Sequence, residues 1–214
     1  MSRTKIHTIY KTADGQRVPS VTTILRELAK PSLIHWAWDL GTKGIDYRTF
    51  RDDLASIGTL AHGMILAHLK NEKLETKEYT ASQIDLAENC FLKYLEWEKQ
   101  HQVEPLRVEQ PLVSESLRFG GTPDFYGEID SLMTVMDFKT GKAIYDDYWY
   151  QLAAYGHLLL EDIPYHPLIE NYRILNIGRD ETEKFVEEQR TDLSREFEIF
   201  TAALRIYQLK KGNI

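Results

Sequence analysis

The chain changes period between residues 103 and 139, and that change limits its fold more than any other feature. Before it, apolar residues recur at helical spacing. Leu54, Ile57, Ala61, Ile65 and Leu69 form one stripe over about 51–70. Ile84, Ala87, Phe91, Tyr94 and Leu95 form a second over about 81–101, opened by a Thr80/Gln83 capping box. Three β-forming runs then follow, at 103–113, 119–126 and 132–139. Residues 146–161 return to helical spacing, and 171–177 and 182–186 flank a Gly178-Arg-Asp turn signal as strands. A last helix over 192–211 carries Leu193, Phe197, Phe200, Leu204 and Tyr207 on one face. Lys210, Lys211 and Gly212 suit its C-terminal end. This order predicts an α/β sheet sandwiched by helices.

Ahead of this core, residues 4–18 read as a small hairpin. Ile6, Thr8 and Tyr10 alternate, Asp14-Gly15 turns, and Arg17-Val18 returns. Ser20 is placed to cap a helix starting at Val21, which Pro31 stops. Residues 32–41, with Leu33, Trp36 and Trp38, predict a further short helix.

Composition narrows the function. A chain of 214 residues buries enough surface to need no covalent staples. The single cysteine, Cys90, allows no internal disulfide and no four-cysteine iron–sulfur cluster. That usage, the lack of a signal-like N-terminus and the lack of any apolar run near 18 residues predict a cytoplasmic protein with no membrane partner. No Gly-x-x-x-x-Gly-Lys-Ser/Thr loop is present, so ATP is not an expected cofactor. The net charge is −7, unevenly spread. Residues 1–51 carry nine Lys/Arg against four Asp/Glu, whereas residues 52–214 carry seventeen against twenty-nine. The basic first part is a candidate polyanion-binding face.

The chemistry concentrates in three short motifs. Asp137 and Lys139 lie two apart in a strand, so they share a face, while Phe138 points into the core. Asp124, in Gly121-Thr-Pro-Asp124, ends the preceding strand, and antiparallel pairing would bring it beside Asp137. Two carboxylates can hold a hard divalent cation through oxygen, and a lysine beside it can orient or deprotonate water. Gln151 and Tyr155 share a face of the next helix, one turn apart, and overlook the same place. Glu109 is a further acid, in the strand before, facing either the site or solvent. His62, in Gly58-Thr-Leu-Ala-His62, is a candidate metal or phosphate ligand. Lys30, Lys43, Arg48 and Arg51 are candidate phosphate contacts, with Trp36, Trp38 and Tyr47 among them either stacking bases or packing between helices. His68, His157, His166 and Cys90 fall in no recognisable pattern.

Gly58-x-x-x-His62, Gly121-x-x-Asp124, Asp137-x-Lys139 and Gln151-x-x-x-Tyr155, in that order, resemble the RecB-like branch of the PD-(D/E)XK nuclease superfamily. Pro19-Ser-Val-Thr-Thr-Ile-Leu25, with Leu33 and Trp36, is similar to the N-terminal segment of phage-borne exonucleases of this branch and of mitochondrial genome maintenance exonucleases. The resemblance spans about residues 18–208. It implies a restriction-endonuclease-like core over 101–214, a central mixed sheet flanked by helices, with a hairpin and helical part over 1–100 in the same nuclease domain. It implies Mg²⁺ or Mn²⁺ on Asp124, Asp137 and the Phe138 carbonyl, with His62 as a metal or phosphate ligand and Glu109 as a supporting acid. Lys139 would position and activate the water, either as ammonium or, if its pKa is depressed, as a base. Gln151 and Tyr155 would order the site and the strand. The implied activity is exonucleolytic hydrolysis of DNA in processing, recombination or repair, in a phage-encoded enzyme working with any helicase or recombination protein as partner. A structure-selective endonuclease and a non-catalytic DNA-binding partner are the alternatives. The intact acid–lysine set counts against the second.

Overall fold

The computed structural model describes residues 8–163 and 169–212, so Ile6 of the expected hairpin and His166 lie outside the described residues. The hairpin itself pairs β1 (Tyr10–Lys11) with β2 (Arg17–Val18) across a turn in which Gly15 takes a left-handed φ of 84°. Helix α1 (Val21–Ile24) starts at Ser20, whose hydroxyl accepts the Thr23 N–H, and ends in a single 3-10 turn, Leu25–Glu27. Pro31 opens α2 (Pro31–Thr42), at the first helical position, where its missing N–H costs nothing. Helix α3 (Tyr47–Leu69) begins earlier than the apolar stripe does, because Asp46 caps it. Helix α4 (Ala81–Glu98) has both halves of the Thr80/Gln83 capping box.

The strands are shorter than their sequence signals. The run expected at 103–113 splits into β3 (Val103–Val108) and β4 (Leu112–Ser114). The run expected at 119–126 splits into β5 (Phe119–Gly121) and β6 (Phe125–Ile129). In both, a proline sits in the gap, Pro111 and Pro123, and proline cannot donate to a continuing ladder. Glu109 also turns the chain with a left-handed φ of 52°. The third run is continuous as β7 (Leu132–Thr140). Helix α5 (Asp146–Asp162) then crosses to β8 (Asn171–Ile177), and α6 (Ser194–Lys211) ends the described chain at Gly212, left-handed at φ 70°. The last strand, β9, covers Val186–Arg190 rather than 182–186. The Asp180 carboxylate accepts both the N–H and the hydroxyl of Thr182 in a tight turn, and Glu183 points inward to Arg179, so extension starts later.

The main sheet runs β3-β6-β7-β8-β9. All its pairs are antiparallel except β7 with β8, which α5 connects in parallel. The sheet is thus mixed, and helices cover both faces. Val135, Tyr126 and Ile174 pack with Trp149, Leu152 and Phe200 from α5 and α6. Met136, Phe138, Leu175 and Ile177 pack with Leu60, Ile65, Tyr94 and Trp97 from α3 and α4. Cys90 is a buried part of this second layer. Central strand β7 feeds side chains to both layers alternately, which buries almost its whole length. A ribbon of β4 and β5 packs against α5. Among the described residues, no helix is long and apolar enough to cross a membrane.

Candidate active site

Asp137 lies in the most buried part of β7, 1% exposed, on the face that looks toward α5. The antiparallel register pairs Phe125 with Met136, so Asp124, one residue before Phe125, comes opposite Asp137. An Asp124 carboxylate oxygen accepts the Phe138 N–H at 2.9 Å, which ties the two acid-bearing segments together. The same oxygen lies 2.8 Å from His62 Nε2, reaching down from α3. Lys139 Nζ forms an ion pair with Asp137 and donates to Gln151 Oε1 at 3.2 Å. Gln151 Nε2 in turn donates to Tyr155 Oη at 2.7 Å. One connected set therefore runs His62–Asp124, Asp137–Lys139–Gln151–Tyr155, around a cleft of about 420 Å³ also lined by Gly58, Thr59 and Thr140.

Two motif glycines are explained by close approach. A Cβ at Gly58 would stand 2.7 Å from Thr140 Oγ1, so glycine lets α3 lie against the end of β7. A Cβ at Gly121 would stand 2.7 Å from the Tyr155 ring. Glycine there lets the Asp124-bearing turn seat on α5. From the other side, Tyr10 Oη and Thr122 Oγ1 share a hydrogen bond at 2.7 Å, so the N-terminal hairpin braces that turn.

The charges are not balanced. Asp137 Oδ2 meets only the Lys139 ammonium, as an ion pair, and Oδ1 has no hydrogen-bond partner. Burial, with the neighbouring Asp124 charge adding to it, pushes the Asp137 carboxyl up to about 7 despite Lys139. Burial acts on Asp124 in the same direction, but His62 and Lys139 win and hold it below the usual carboxylate range. His62 is raised because Asp124 outweighs the cost of its burial. Lys139 is likewise raised: burial opposes its charge, and the two acids overcome that. Without a metal the two acids therefore favour the ammonium form of Lys139. Burial beside the two acids keeps the Tyr155 phenol neutral.

Among the described residues, no three of His, Cys, Asp and Glu converge as a ready-made metal cage. What converges is a pair of carboxylates, one with an oxygen that has no partner. Mg²⁺ and chemically similar hard cations commonly take one or two carboxylates and complete their shell with water and substrate phosphate. The donor set fits that kind of ion.

Other candidates stand apart. Glu109 bonds the Asp124 carbonyl through its own N–H at 3.0 Å, but its carboxylate is half-exposed and pairs with Lys70 at 2.9 Å, away from the cleft. Lys30 pairs with Asp147, the second residue of α5, at 2.5 Å. Trp36 packs edge-on against Tyr47 with ring centroids 5.3 Å apart, joining α2 to α3, whereas Trp38 is 68% exposed. Lys43 and Arg48 are exposed, and Arg51 sits by Asp52 with its guanidinium 5.5 Å from the Tyr47 ring centre. Sequence reasoning passed over Tyr148, whose ring centre lies 4.9 Å from Lys139 Nζ. The signal was present: Tyr148 precedes Gln151 by three, the helical spacing that shares a face.

No family model matches the chain, and no curated protein matches it. Among solved structures, it is similar to that of a "putative exonuclease" from Eubacterium rectale. The TM-score is 0.51 and the identity 12%, over 74% of this chain and 69% of that one. At this identity the likeness is one of fold: a mixed sheet flanked by helices, shared with that protein. The structure of SSO0001 aligns at 13% identity over 54% of this chain and 56% of its own, with a TM-score of 0.33, and carries no argument.

Proposed function

We propose that the chain is a metal-dependent DNA exonuclease of the RecB-like branch of the PD-(D/E)XK superfamily. The observation that carries this reading is the Asp124–Asp137 pair. Two acids face each other across adjacent strands, with Asp137 Oδ1 unpartnered and Oδ2 held only by Lys139. The fold shared with the Eubacterium rectale protein supports it, and so does the order of the four motifs.

Asp124, Asp137 and the Phe138 carbonyl would hold Mg²⁺ or Mn²⁺. When bound, the ion supplies Lewis-acid polarisation of the scissile phosphate and lowers the pKa of the attacking water. The chain's own groups do the rest. Lys139, charged and held by Gln151, orients water and offsets phosphate charge. Gln151 keeps the lysine aimed, and Tyr155 keeps Gln151 aimed. His62, tied to Asp124, which favours its charged form, lines the cleft where it can meet a phosphate oxygen. In the cleft Lys139 and His62 offset the two acids, and a bound ion would add positive charge beside them, so metal loading favours phosphate binding.

The test uses single- and double-stranded DNA labelled separately at each end, linear and circular, with Mg²⁺, Mn²⁺ or EDTA. Metal-dependent loss of linear DNA, absent in Asp137→Ala and Lys139→Ala, is the expected result. Cutting of circles would replace exonuclease by endonuclease. DNA binding with no cutting in any metal would leave only a binding role.

A further inference from the structure

One aromatic pair lies beside Lys139 and outside the acid–lysine set: Tyr148 packs partly buried against the core, and Tyr145 stands in front of it. Tyr145 and Tyr148 sit edge to face at the start of α5, ring centroids 5.6 Å apart and planes at 84°. Tyr148 faces Lys139 with its ring centre 4.9 Å from the ammonium. Tyr145 stands outside it, 50% exposed. The pair thus runs from the lysine that meets the acids out to solvent.

Local preference does not explain Tyr145. It occupies the N-cap of α5 and makes no side-chain cap hydrogen bond. Ser, Thr, Asp or Asn would supply one there, as Ser20, Asp46 and Thr80 do for α1, α3 and α4. Lys30 and Leu193 leave α2 and α6 without a side-chain cap in the same way, so what marks Tyr145 is its ring, half-exposed and held edge to face against Tyr148 beside Lys139. The surrounding charge is compatible with a polyanion. Lys142 is exposed in the same loop, and Lys30 neutralises Asp147. Asp146 and Asp147 lie in the first turn of α5, where they meet the positive end of the helix.

We propose that Tyr145, backed by Tyr148, is a stacking subsite for the base adjoining the phosphate held in the cleft, and that the strand engaged there is unpaired. This rests on the nuclease reading above. A base stacks on an aromatic ring only when its own face is free, as in a single-stranded or frayed end. The aromatic face also tolerates any base, which suits digestion without sequence preference.

The test compares kcat/KM of wild type, Tyr145→Ala and Tyr145→Phe on a single-stranded oligonucleotide and on the same strand with abasic sites near the cut end. Tyr145→Ala is expected to lower kcat/KM on the intact strand by roughly 5- to 150-fold, the range for losing one base–aromatic stack. Tyr145→Phe should keep the wild-type value, and abasic sites should erase the gap between wild type and Tyr145→Ala. Equal cutting by wild type and Tyr145→Ala, or a gap that persists on abasic DNA, overturns the subsite while leaving the nuclease reading intact. A wild type that cuts nothing with Mg²⁺ or Mn²⁺ overturns both.

Discussion

Two neighbouring strands of this sheet each end in buried charge, and they treat it in opposite ways. Just beyond β8, Arg179 and Glu183 are almost enclosed, and the two side chains hydrogen-bond each other. Glu183 accepts from the Arg179 N–H at 3.1 Å and from Nε at 2.8 Å, and it pairs with the guanidinium end. Lys93 closes the same turn by donating to the Gly178 and Asp180 carbonyls at 2.9 and 2.8 Å. The Arg179 hydrogen bonds hold the Glu183 carboxyl below its ordinary range. Near the end of β7, Asp137 is as deeply buried, yet only Lys139 meets it, Oδ1 has no partner, and its carboxyl is driven up to about 7. A satisfied buried pair is architecture. An acid kept buried and unsatisfied costs stability, and such groups cluster where a ligand later supplies the missing partner.

Mutation at each strand end separates these roles. Asp137→Ala should abolish metal-dependent cleavage, a loss of roughly 10³-fold or more for a group acting on the transition state. Thermal unfolding without metal should show the fold retained. A variant that still cuts would end the distinction between the two sites. Glu183→Ala should do the reverse. It strands Arg179 in the interior and should destabilise by about 3–5 kcal/mol in urea unfolding, with cleavage per folded molecule little changed. A smaller effect is expected from Gly121→Ala. Its methyl group would overlap the Tyr155 ring, costing about 1–3 kcal/mol and loosening the Tyr155–Gln151–Lys139 chain, read as a fall in both melting temperature and kcat.

The smallest effect is in pH, where the two sites have opposite signs. Asp137 has its pKa raised on folding, so its contribution to metal-free stability is full below the usual carboxylate pKa and is lost as pH rises through about 7. Glu183 has its pKa lowered, so its contribution is present above the ordinary value and is lost as pH falls. The same Asp137 shift predicts that Mg²⁺ or Mn²⁺ affinity, measured by calorimetry, gains about tenfold between pH 6 and 8, with proton release on binding. Flat affinity over that window would show that Asp137 is already ionised without metal.

Much of the site was legible because strand and helix periods are local. The two-residue spacing of Asp137 and Lys139 put them on one face, and the four-residue spacing of Gln151 and Tyr155 did the same on α5. Caps at Ser20 and Thr80 were readable for the same reason: the donors and acceptors are three residues apart. The prolines at 111 and 123 carried the strand breaks, but the β-forming residues on either side masked them. The start of β9 was hidden because the Glu183 partner, Arg179, bonds it through a turn whose shape depends on the packed core.

What the sequence determined by itself was the succession of elements and the pairing of like-facing residues within each of them, since backbone period sets these. Which elements became neighbours was decided only in three dimensions. The antiparallel register brings Asp124 opposite Asp137, α3 brings His62 to Asp124, and Lys70 draws the Glu109 carboxylate away. The state of the acids was also decided there. Burial and nearby charge set ionisation, and both belong to the packed structure rather than to any residue in it.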